Sequence, residues 1–355
     1  MIKPLGILGL GLLLSLPAGP VLHARPSTIQ VSAGNVNTDP LQPGNIRLGN
    51  VTVTPDIVYS TLPGYRPLLL DLYRRDDKAV RPLVIFIHGR SWSTGSKRRT
   101  ASFTDFPGLL ASLSQRGFVV ASVDYRLSAE ARFPAALHDI KAAIRFLRAN
   151  AKHYGIDPGR VALWGASAGA HLAALAAYTG EDLDFDQPGM ENAGESDRVQ
   201  ALVGWYGTYD LSGMFRPAGT TVTHEAAEDP PGPRRFFGCT TQGCPPDVIS
   251  QASPISHVDL NDPPTLLIHG TADTTVPDNQ SRNLDERLKN TGVRSELILI
   301  DGVSHEWVGT ELKTTSAASH QAVTTTFDWL EQTLLNGNRH GFNLKKSSTV
   351  TRRRE

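Results

Sequence analysis

The feature that most constrains the fold is a serine turn at residues 165–169. The segment Trp164-Gly165-Ala166-Ser167-Ala168-Gly169 follows an apolar run that begins at Val161. It leads into a stretch of small residues, 168–178, with the composition of a helix. A strand, a sharp turn and a helix in this order predict a nucleophilic Ser167 at the end of a sheet. The two glycines would leave room for the strand and helix backbones to approach closely.

Strand and helix patterns alternate along most of the remaining chain. Continuous apolar runs such as 83–87 and 118–123 are typical of strands buried on both faces, and 134–154 has helical periodicity. This alternation predicts an α/β fold, a single domain with a mostly parallel central sheet flanked by helices. We place the domain at 46–335. Its Pro/Gly-rich segment 209–253, after the sixth strand, is predicted to be a cap or loop insertion.

The N-terminal segment of the chain indicates export. Residues 1–24 contain Lys3, a short apolar run and a small residue before a cleavage site, which predicts a signal peptide and a secreted or periplasmic protein. No stable membrane insertion is expected after cleavage. Residues 25–45 are predicted to be an extended leader and 336–355 a basic, disordered tail. Export favours a disulfide between Cys239 and Cys244, and the absence of further Cys or His nearby argues against a metal.

The charge balance narrows the possible partners. Lys plus Arg and Asp plus Glu number 35 each, so no overall field attracts nucleic acid, and we expect no such partner. The acidic segment 181–198 is predicted to be a solvated loop, with a cation site as the alternative. The sequence carries no signal of oligomeric state.

A nucleophilic serine needs a base and an acid that orients the base. Because sites on parallel sheets form at the carboxyl ends of strands, we looked for His and Asp just after strands. His305 and Asp273 follow the strands predicted at 295–300 and 265–268, and Asp210 is the rival acid after another strand. The order Ser, Asp, His is typical of this arrangement. His88 and His269 also end strands, but each precedes a glycine and is predicted to brace a loop.

The oxyanion that forms during attack needs backbone N–H donors. The amide of Ala168 is one candidate, because it directly follows the serine at the start of a helix. The second donor is expected from the loop at 88–92.

An ordered set of motifs is similar to α/β-hydrolase serine esterases of the bacterial feruloyl-esterase-like and hormone-sensitive-lipase-like carboxylesterase group. The set covers about residues 50–335 and comprises Ile87-His88-Gly89 with Trp92, 123–127, 133–135, 164–169, 269–273 with Val276-Pro277, and Ser304-His305. The resemblance implies Ser167 as nucleophile, His305 as base and Asp273 as orienting acid. It also implies an oxyanion hole formed by the amides of Arg90, Ser91 and Ala168, with no metal or cofactor.

The chain departs from this family in the oxyanion loop. The family usually has His-Gly-Gly-Gly-Trp, whereas Arg90 and Ser91 replace two glycines here. Glycine adopts positive φ at little cost, so three outcomes are open: a strained but intact loop, an extra hydroxyl donor from Ser91, or a malformed hole. Alternatively, Arg90 favours acidic acyl groups.

The reaction these features predict is hydrolysis of a small-molecule or polymer-linked carboxylic ester through an acyl-enzyme. Trp92, Tyr206 and Trp307 lie near strand ends and are predicted to line the substrate pocket. Two alternatives stay open. One is an amidase or arylformamidase using the same three residues, and the other is a catalytically weak binding protein on a hydrolase scaffold.

Overall fold

The computed structural model describes residues 45–100, 103–187, 189–212, 231–239 and 244–336. The predicted signal peptide (1–24) lies outside the described residues, as do nearly all of the leader (25–45) and of the basic tail (336–355). Segments 213–230 and 240–243 of the predicted cap also lie outside them. These predictions therefore stay predictions.

In the described part of the chain, nine strands form one sheet. They are β1 (Ile46–Leu48), β2 (Val51–Ser60), β3 (Leu68–Arg75), β4 (Arg81–Ile87), β5 (Val119–Val123), β6 (Ile156–Ala166), β7 (Ala201–Trp205), β8 (Thr265–Gly270) and β9 (Ser295–Ile300). Their spatial order is β1-β2-β3-β5-β4-β6-β7-β8-β9. Three neighbouring pairs are antiparallel, namely β1–β2, β2–β3 and β3–β5, and the remaining neighbouring pairs are parallel. The predicted α/β architecture with a mostly parallel sheet is confirmed.

The strand count differs from the prediction at the start of the domain. The apolar pattern at 46–59 predicts a single strand. The structure has two strands there, joined by a two-residue turn in which Gly49 has a φ of +64°. Glycine adopts this left-handed conformation without a Cβ clash and so lets the chain reverse within one apolar pattern. As a result, the insertion predicted after the sixth strand follows the seventh, β7.

Helices cover both faces of the sheet. They are α1 (Phe106–Gln115), α2 (Ala135–Ala149), α3 (Ala151–Tyr154), α4 (Ala168–Tyr178), α5 (Pro231–Phe237), α6 (Pro246–Ala252), α7 (Asn279–Thr291) and α8 (Leu312–Leu330), the last continued by a π-helical turn at Glu331–Leu335. Short 3-10 turns lie at Leu183–Phe185, Pro254–His257 and His305–Trp307. None of the helices described is at once long enough and apolar enough to cross a bilayer.

Two apolar clusters, one on each face of the sheet, hold these layers together. Alternate strand residues point to opposite faces, so Ile85 packs in the cluster that includes α2, α4 and α7, while Phe86 packs with α1 and α8. Because both faces are covered, the central strands are fully buried. The parallel strands therefore end together along one edge, where the predicted site residues lie.

The acidic segment 181–198 is more than a solvated loop. Most of its carboxylates are exposed, as predicted, but Asp197 is fully buried. Its Oδ2 lies 2.9 Å from both Lys141 Nζ and Arg145 Nη2 on α2, and its Oδ1 accepts the Glu181 amide. The prediction is wrong at this residue, because the segment is anchored through a buried ion network whose charges are paired and hydrogen-bonded.

Candidate active site

Ser167 stands in a strained turn between β6 and α4. Its φ and ψ are 55° and −122°, and its amide donates to the Trp205 carbonyl of β7 at 2.8 Å. The neighbouring Ala166 and Ala168 are buried, whereas Ser167 is half-buried. A serine in this conformation costs about 1–3 kcal/mol and is typical of the nucleophile turn in hydrolases.

The glycines of the serine motif let three backbone segments meet around Ser167. A Cβ built on Gly165 would lie 2.2 Å from the Gly169 carbonyl oxygen, and one on Gly169 would lie 2.1 Å from that of Ile87. No side chain fits at such distances. The close approach of β6, α4 and β4 therefore requires glycine at both positions, as the sequence predicted.

His305 reaches Ser167 from the loop after β9. Its Nε2 lies 3.0 Å from Ser167 Oγ, and its Nδ1 lies 2.7 Å from Asp273 Oδ2. A carboxylate only accepts hydrogen bonds, so we assign the ring proton to Nδ1, which leaves Nε2 free to accept the serine proton. The structure thus brings together the three side chains that the sequence predicted, in one hydrogen-bonded series.

Asp273 is the buried anion of this series. Its Oδ1 accepts the amides of Thr275 and Val276, both at 2.9 Å, and its Oδ2 also lies 3.3 Å from His269 Nε2. Burial alone would raise the pKa, but hydrogen bonds from His269, His305 and the Val276 amide hold the pKa of Asp273 well below its usual range. The carboxylate is therefore ionised at neutral pH and able to orient His305.

His269 contributes more than the sequence indicated. It was predicted to brace a loop, and it does so through Nδ1 to the Ser281 hydroxyl (2.7 Å) and Nε2 to the Val276 carbonyl (2.8 Å). Its contact with Asp273 makes it a second imidazole around the same carboxylate. The one signal in the sequence is its position at the end of β8, four residues before Asp273.

The rival acid, Asp210, lies in a different environment. Its Oδ1 accepts the amide and the hydroxyl of Ser212, at 2.9 Å and 2.6 Å. It also lines a separate cavity of about 520 Å³ with Cys244 and Ile249. Of the two candidate acids, the structure pairs Asp273 with His305.

The oxyanion loop adopts a glycine-like backbone although it carries side chains. The φ values of Arg90, Ser91 and Trp92 are 78°, 53° and 56°, which costs an L residue about 1–2 kcal/mol at each position. Within the described residues the Arg90 and Ser91 amides donate to no acceptor, whereas those of Ser93 and Thr94 both donate to the Arg90 carbonyl. Of the three outcomes left open by the sequence, the geometry favours a strained loop that keeps its free N–H groups.

The far end of this loop is anchored to the sheet, which explains how the strain persists. The Lys97 amide and Nζ donate to the two carboxylate oxygens of Asp124, at 2.7 Å and 2.9 Å. Lys97 Nζ also lies 2.9 Å from Asp56, and the Ser122 hydroxyl donates to the Lys97 carbonyl. Burial of Lys97 would lower its pKa, but the hydrogen bonds to Asp124 and Asp56 raise it, so the lysine stays charged.

The three aromatic residues predicted to line the substrate pocket are packed in the interior. Trp92, Tyr206 and Trp307 are only 3%, 1% and 0% exposed. Trp92 donates its indole N–H to His171, while the Tyr206 ring lies 4.7 Å from the rings of both His305 and Trp307. This burial favours packing behind the site over pocket lining for these three residues, because large rings at strand ends gain more by filling interior space than by facing solvent.

The described parts of the predicted cap contact Trp92 of the oxyanion loop and His171 of α4. Phe236 of α5 stacks on Trp92 with ring centroids 5.0 Å apart, and the Ala252 carbonyl of α6 lies 2.7 Å from His171 Nε2. The predicted disulfide joins Cys239 to Cys244, and so links α5 to α6. No cluster of three or more His, Cys, Asp or Glu side chains suited to a metal ion occurs among the residues that the structure describes.

The sheet topology together with the strained serine at the end of β6 defines an α/β-hydrolase. The BD-FAE family model matches residues 70–288, and the chain belongs to this family. This result confirms the predicted resemblance to the feruloyl-esterase-like group.

Individual relatives and a solved structure agree with the family assignment. The chain is 36% identical over 242 residues to "Esterase LipQ" of Mycobacterium tuberculosis (67% of this chain, 53% of that protein). It is also 36% identical over 223 residues to "Esterase LipC" of the same organism (62% and 52%). The chain thus spans about half the length of these relatives. The solved structure "Truncated form of carbohydrate esterase from gut microbiota" superposes with a TM-score of 0.65 at 28% identity, covering 80% of this chain and 96% of that chain.

Proposed function

We propose that the protein is a serine carboxylesterase that works through an acyl-enzyme on Ser167. The observation that carries the proposal is the hydrogen-bonded series from Asp273 through His305 to Ser167, with distances of 2.7 Å and 3.0 Å. Membership of the BD-FAE family and similarity to the esterases LipQ and LipC support it.

In the first half of the reaction Ser167 is acylated. Ser167 Oγ attacks the ester carbonyl carbon while His305 Nε2 accepts the hydroxyl proton. The tetrahedral oxyanion is stabilised by the free amides of Arg90 and Ser91 and by that of Ala168, the first residue of α4. His305 then returns the proton to the leaving alcohol, and the acyl group stays on the serine.

In the second half water releases the acid. His305 Nε2 takes a proton from a water molecule that attacks the acyl carbonyl, and the same amides stabilise the second oxyanion. The proton returns to Ser167 Oγ as the carboxylic acid leaves. Throughout the cycle Asp273 stabilises the positive charge that His305 acquires and fixes its ring orientation.

The proposed substrate is a small-molecule or polymer-linked ester. Similarity to a solved carbohydrate esterase supports including esters carried on sugars. Neither nucleic acid nor a membrane is proposed as a partner, because the net charge of the chain is zero.

We also propose that residues 1–24 direct export of the protein and are then removed as a signal peptide. The Cys239–Cys244 disulfide supports export, because disulfides form in oxidising compartments. Expression of the full chain in a bacterium, followed by intact mass measurement of the exported fraction, tests this proposal. A mature form that begins at Arg25 is expected, and recovery of only the uncleaved chain from the cytoplasm would contradict it.

Esterase activity is tested with p-nitrophenyl acetate and p-nitrophenyl butyrate. Ser167→Ala is expected to lower kcat about 10⁴-fold or more while circular dichroism stays unchanged. The matched control Ser112→Ala, which removes a hydroxyl bonded to the Gly108 carbonyl on α1, is expected to keep the wild-type rate. Full activity in Ser167→Ala would end the assignment, and faster turnover of p-nitroacetanilide than of the acetate ester would replace it with the amidase alternative.

A further inference from the structure

Two oppositely charged side chains, Arg90 and Glu306, lie next to each other beside Ser167. We call the place that they occupy the lip of the serine site. Arg90 follows Gly89, where a Cβ would lie 3.1 Å from Ser167 Cβ, so the Arg90 loop rests directly on the serine turn. Glu306 follows His305, whose imidazole contacts the serine hydroxyl. The Arg90 Nε and the Glu306 Oε1 are 3.7 Å apart, which joins the two loops that meet at Ser167.

The contact with Glu306 leaves the N–H donors of the Arg90 guanidinium able to bind another group. A separation of 3.7 Å is too long for a hydrogen bond, and in the described part of the chain the Arg90 side chain donates none. The Arg90 side chain is 57% exposed and that of Glu306 is 28% exposed. A guanidinium has five N–H donors in a planar fork that matches a carboxylate, so Arg90 is equipped to bind one.

Among the described groups that act on Tyr206 beside the site, Arg90 is the cation. Three charged groups act on the neighbouring Tyr206 hydroxyl: the anions Glu306 and Asp273, and the cation Arg90. Asp273 is buried and engaged with His305, so of these three charged groups Arg90 and Glu306 are the ones whose side chains are open to a substrate. The family that the sequence resembles usually has glycine at this position, so the guanidinium departs from that pattern.

We propose that Arg90 binds a carboxylate of the substrate. The enzyme then prefers esters that carry, in addition to the ester group, an ionised carboxylate near the scissile bond. The proposal rests on the esterase function proposed above and names a substrate class for the same site. A substrate carboxylate replaces the loose contact with Glu306 by two charge-assisted hydrogen bonds. Glu306 repels the same carboxylate, so the pair sets the strength of the preference.

The test compares esters of matched size that differ by one carboxylate. In the first pair, mono-p-nitrophenyl succinate carries the charge on its acyl side and p-nitrophenyl butyrate is its neutral counterpart. In the second pair, 4-(butanoyloxy)benzoate carries the charge on its alcohol side and phenyl butyrate is its neutral counterpart. The quantity measured is the ratio of kcat/KM for the anionic ester to kcat/KM for the neutral one. Because both values come from the same variant, a general change in the oxyanion loop cancels.

Arg90→Gln is expected to lower this ratio about 10-fold in at least one pair, the size of one charge-assisted hydrogen bond at an exposed site. Glu306→Gln is expected to raise it a few-fold, and about 0.5 M NaCl should shrink both effects. The matched control is Arg198→Gln, which removes the same charge from an exposed pair with Glu181 away from the site. It should leave both ratios unchanged.

Ratios that stay within about twofold of wild type in both Arg90→Gln and Glu306→Gln would overturn the proposal. An equal fall in Arg198→Gln would also overturn it, because net charge would then explain the preference. If wild type hydrolyses p-nitrophenyl butyrate and Ser167→Ala does not, the esterase assignment survives either failure. If wild type hydrolyses none of the four esters, both proposals fail together.

Discussion

Replacing Arg90 with glycine tests whether the oxyanion loop stores backbone strain. With a φ of 78°, Arg90 is the first of three consecutive left-handed residues that carry side chains. Glycine removes a penalty of about 1–2 kcal/mol at this position. The lost contact with Glu306 is exposed and 3.7 Å long, so its loss costs at most about 0.5 kcal/mol.

A glycine also adds freedom to the unfolded chain, which a matched variant measures. Lys78 is exposed in the loop between β3 and β4, and its φ is not in the left-handed region. Lys78→Gly is therefore expected to lower the free energy of unfolding by about 0.5–1 kcal/mol. Arg90→Gly carries the same entropy cost but relieves the strain. After the lost contact with Glu306 is subtracted, it should be about 0.5–2 kcal/mol more stable than Lys78→Gly.

Urea unfolding followed by tryptophan fluorescence provides the measurement. Equal slopes of free energy against urea in the wild type and both variants would show that the comparison concerns stability alone. If Arg90→Gly loses as much free energy of unfolding as Lys78→Gly, the loop stores no strain at position 90 and the reasoning is refuted.

Three further predictions concern the site and its support. Asp273→Asn should lower kcat about 10⁴-fold, because an amide cannot hold the same His305 tautomer. The control Asp210→Asn should keep the wild-type kcat. The reverse result in ester assays would make Asp210 the acid. Because the pKa of Asp273 is lowered in the fold, its stabilisation is fully present above the unfolded-state pKa of about 3.9 and is lost as the pH falls toward the folded-state value. The free energy of unfolding should therefore fall more steeply below about pH 5 in the wild type than in Asp273→Asn, and parallel curves from denaturant titrations would contradict this. Gly169→Ala should lower the free energy of unfolding by about 3 kcal/mol, because its Cβ would lie 2.1 Å from the Ile87 carbonyl oxygen. Gly194→Ala, whose Cβ would have no atom within 4 Å, should change the free energy of unfolding by less than about 0.5 kcal/mol. Equal effects in the two alanine variants would contradict the clash.

The positions of the site residues were predictable because strand ends leave few choices. Ser167 lies after β6, Asp273 after β8 and His305 after β9, and the carboxyl ends of parallel strands share one edge. The apolar runs that indicated β4 and β5 were unambiguous, because both strands are covered on both faces.

Side-chain direction and tertiary pairing were not predictable in the same way. The sequence shows that Tyr206 and Trp307 are aromatic and near strand ends, but not that their rings pack against each other beneath the site. Helical periodicity shows that Lys141 is in α2, but not that its fully buried ammonium meets Asp197, 56 residues away. Such contacts depend on how elements pack, which local patterns do not encode.

The oxyanion loop falls between these cases. Its departure from glycine was visible in the sequence, which raised the question of strain without answering it. The answer depends on the pairing of Lys97 with Asp124, which fixes the end of the loop and lets Arg90 and Ser91 keep positive φ.

A fluorophosphonate modifies a serine only where a neighbouring base activates its hydroxyl, so the site of labelling tests the central claim directly. Peptide mapping by mass spectrometry is expected to find one adduct per chain, on Ser167, formed about 100-fold more slowly in His305→Ala. No adduct on the folded wild type, an adduct on a different serine, or equal labelling rates in His305→Ala would contradict the activation of Ser167 by His305.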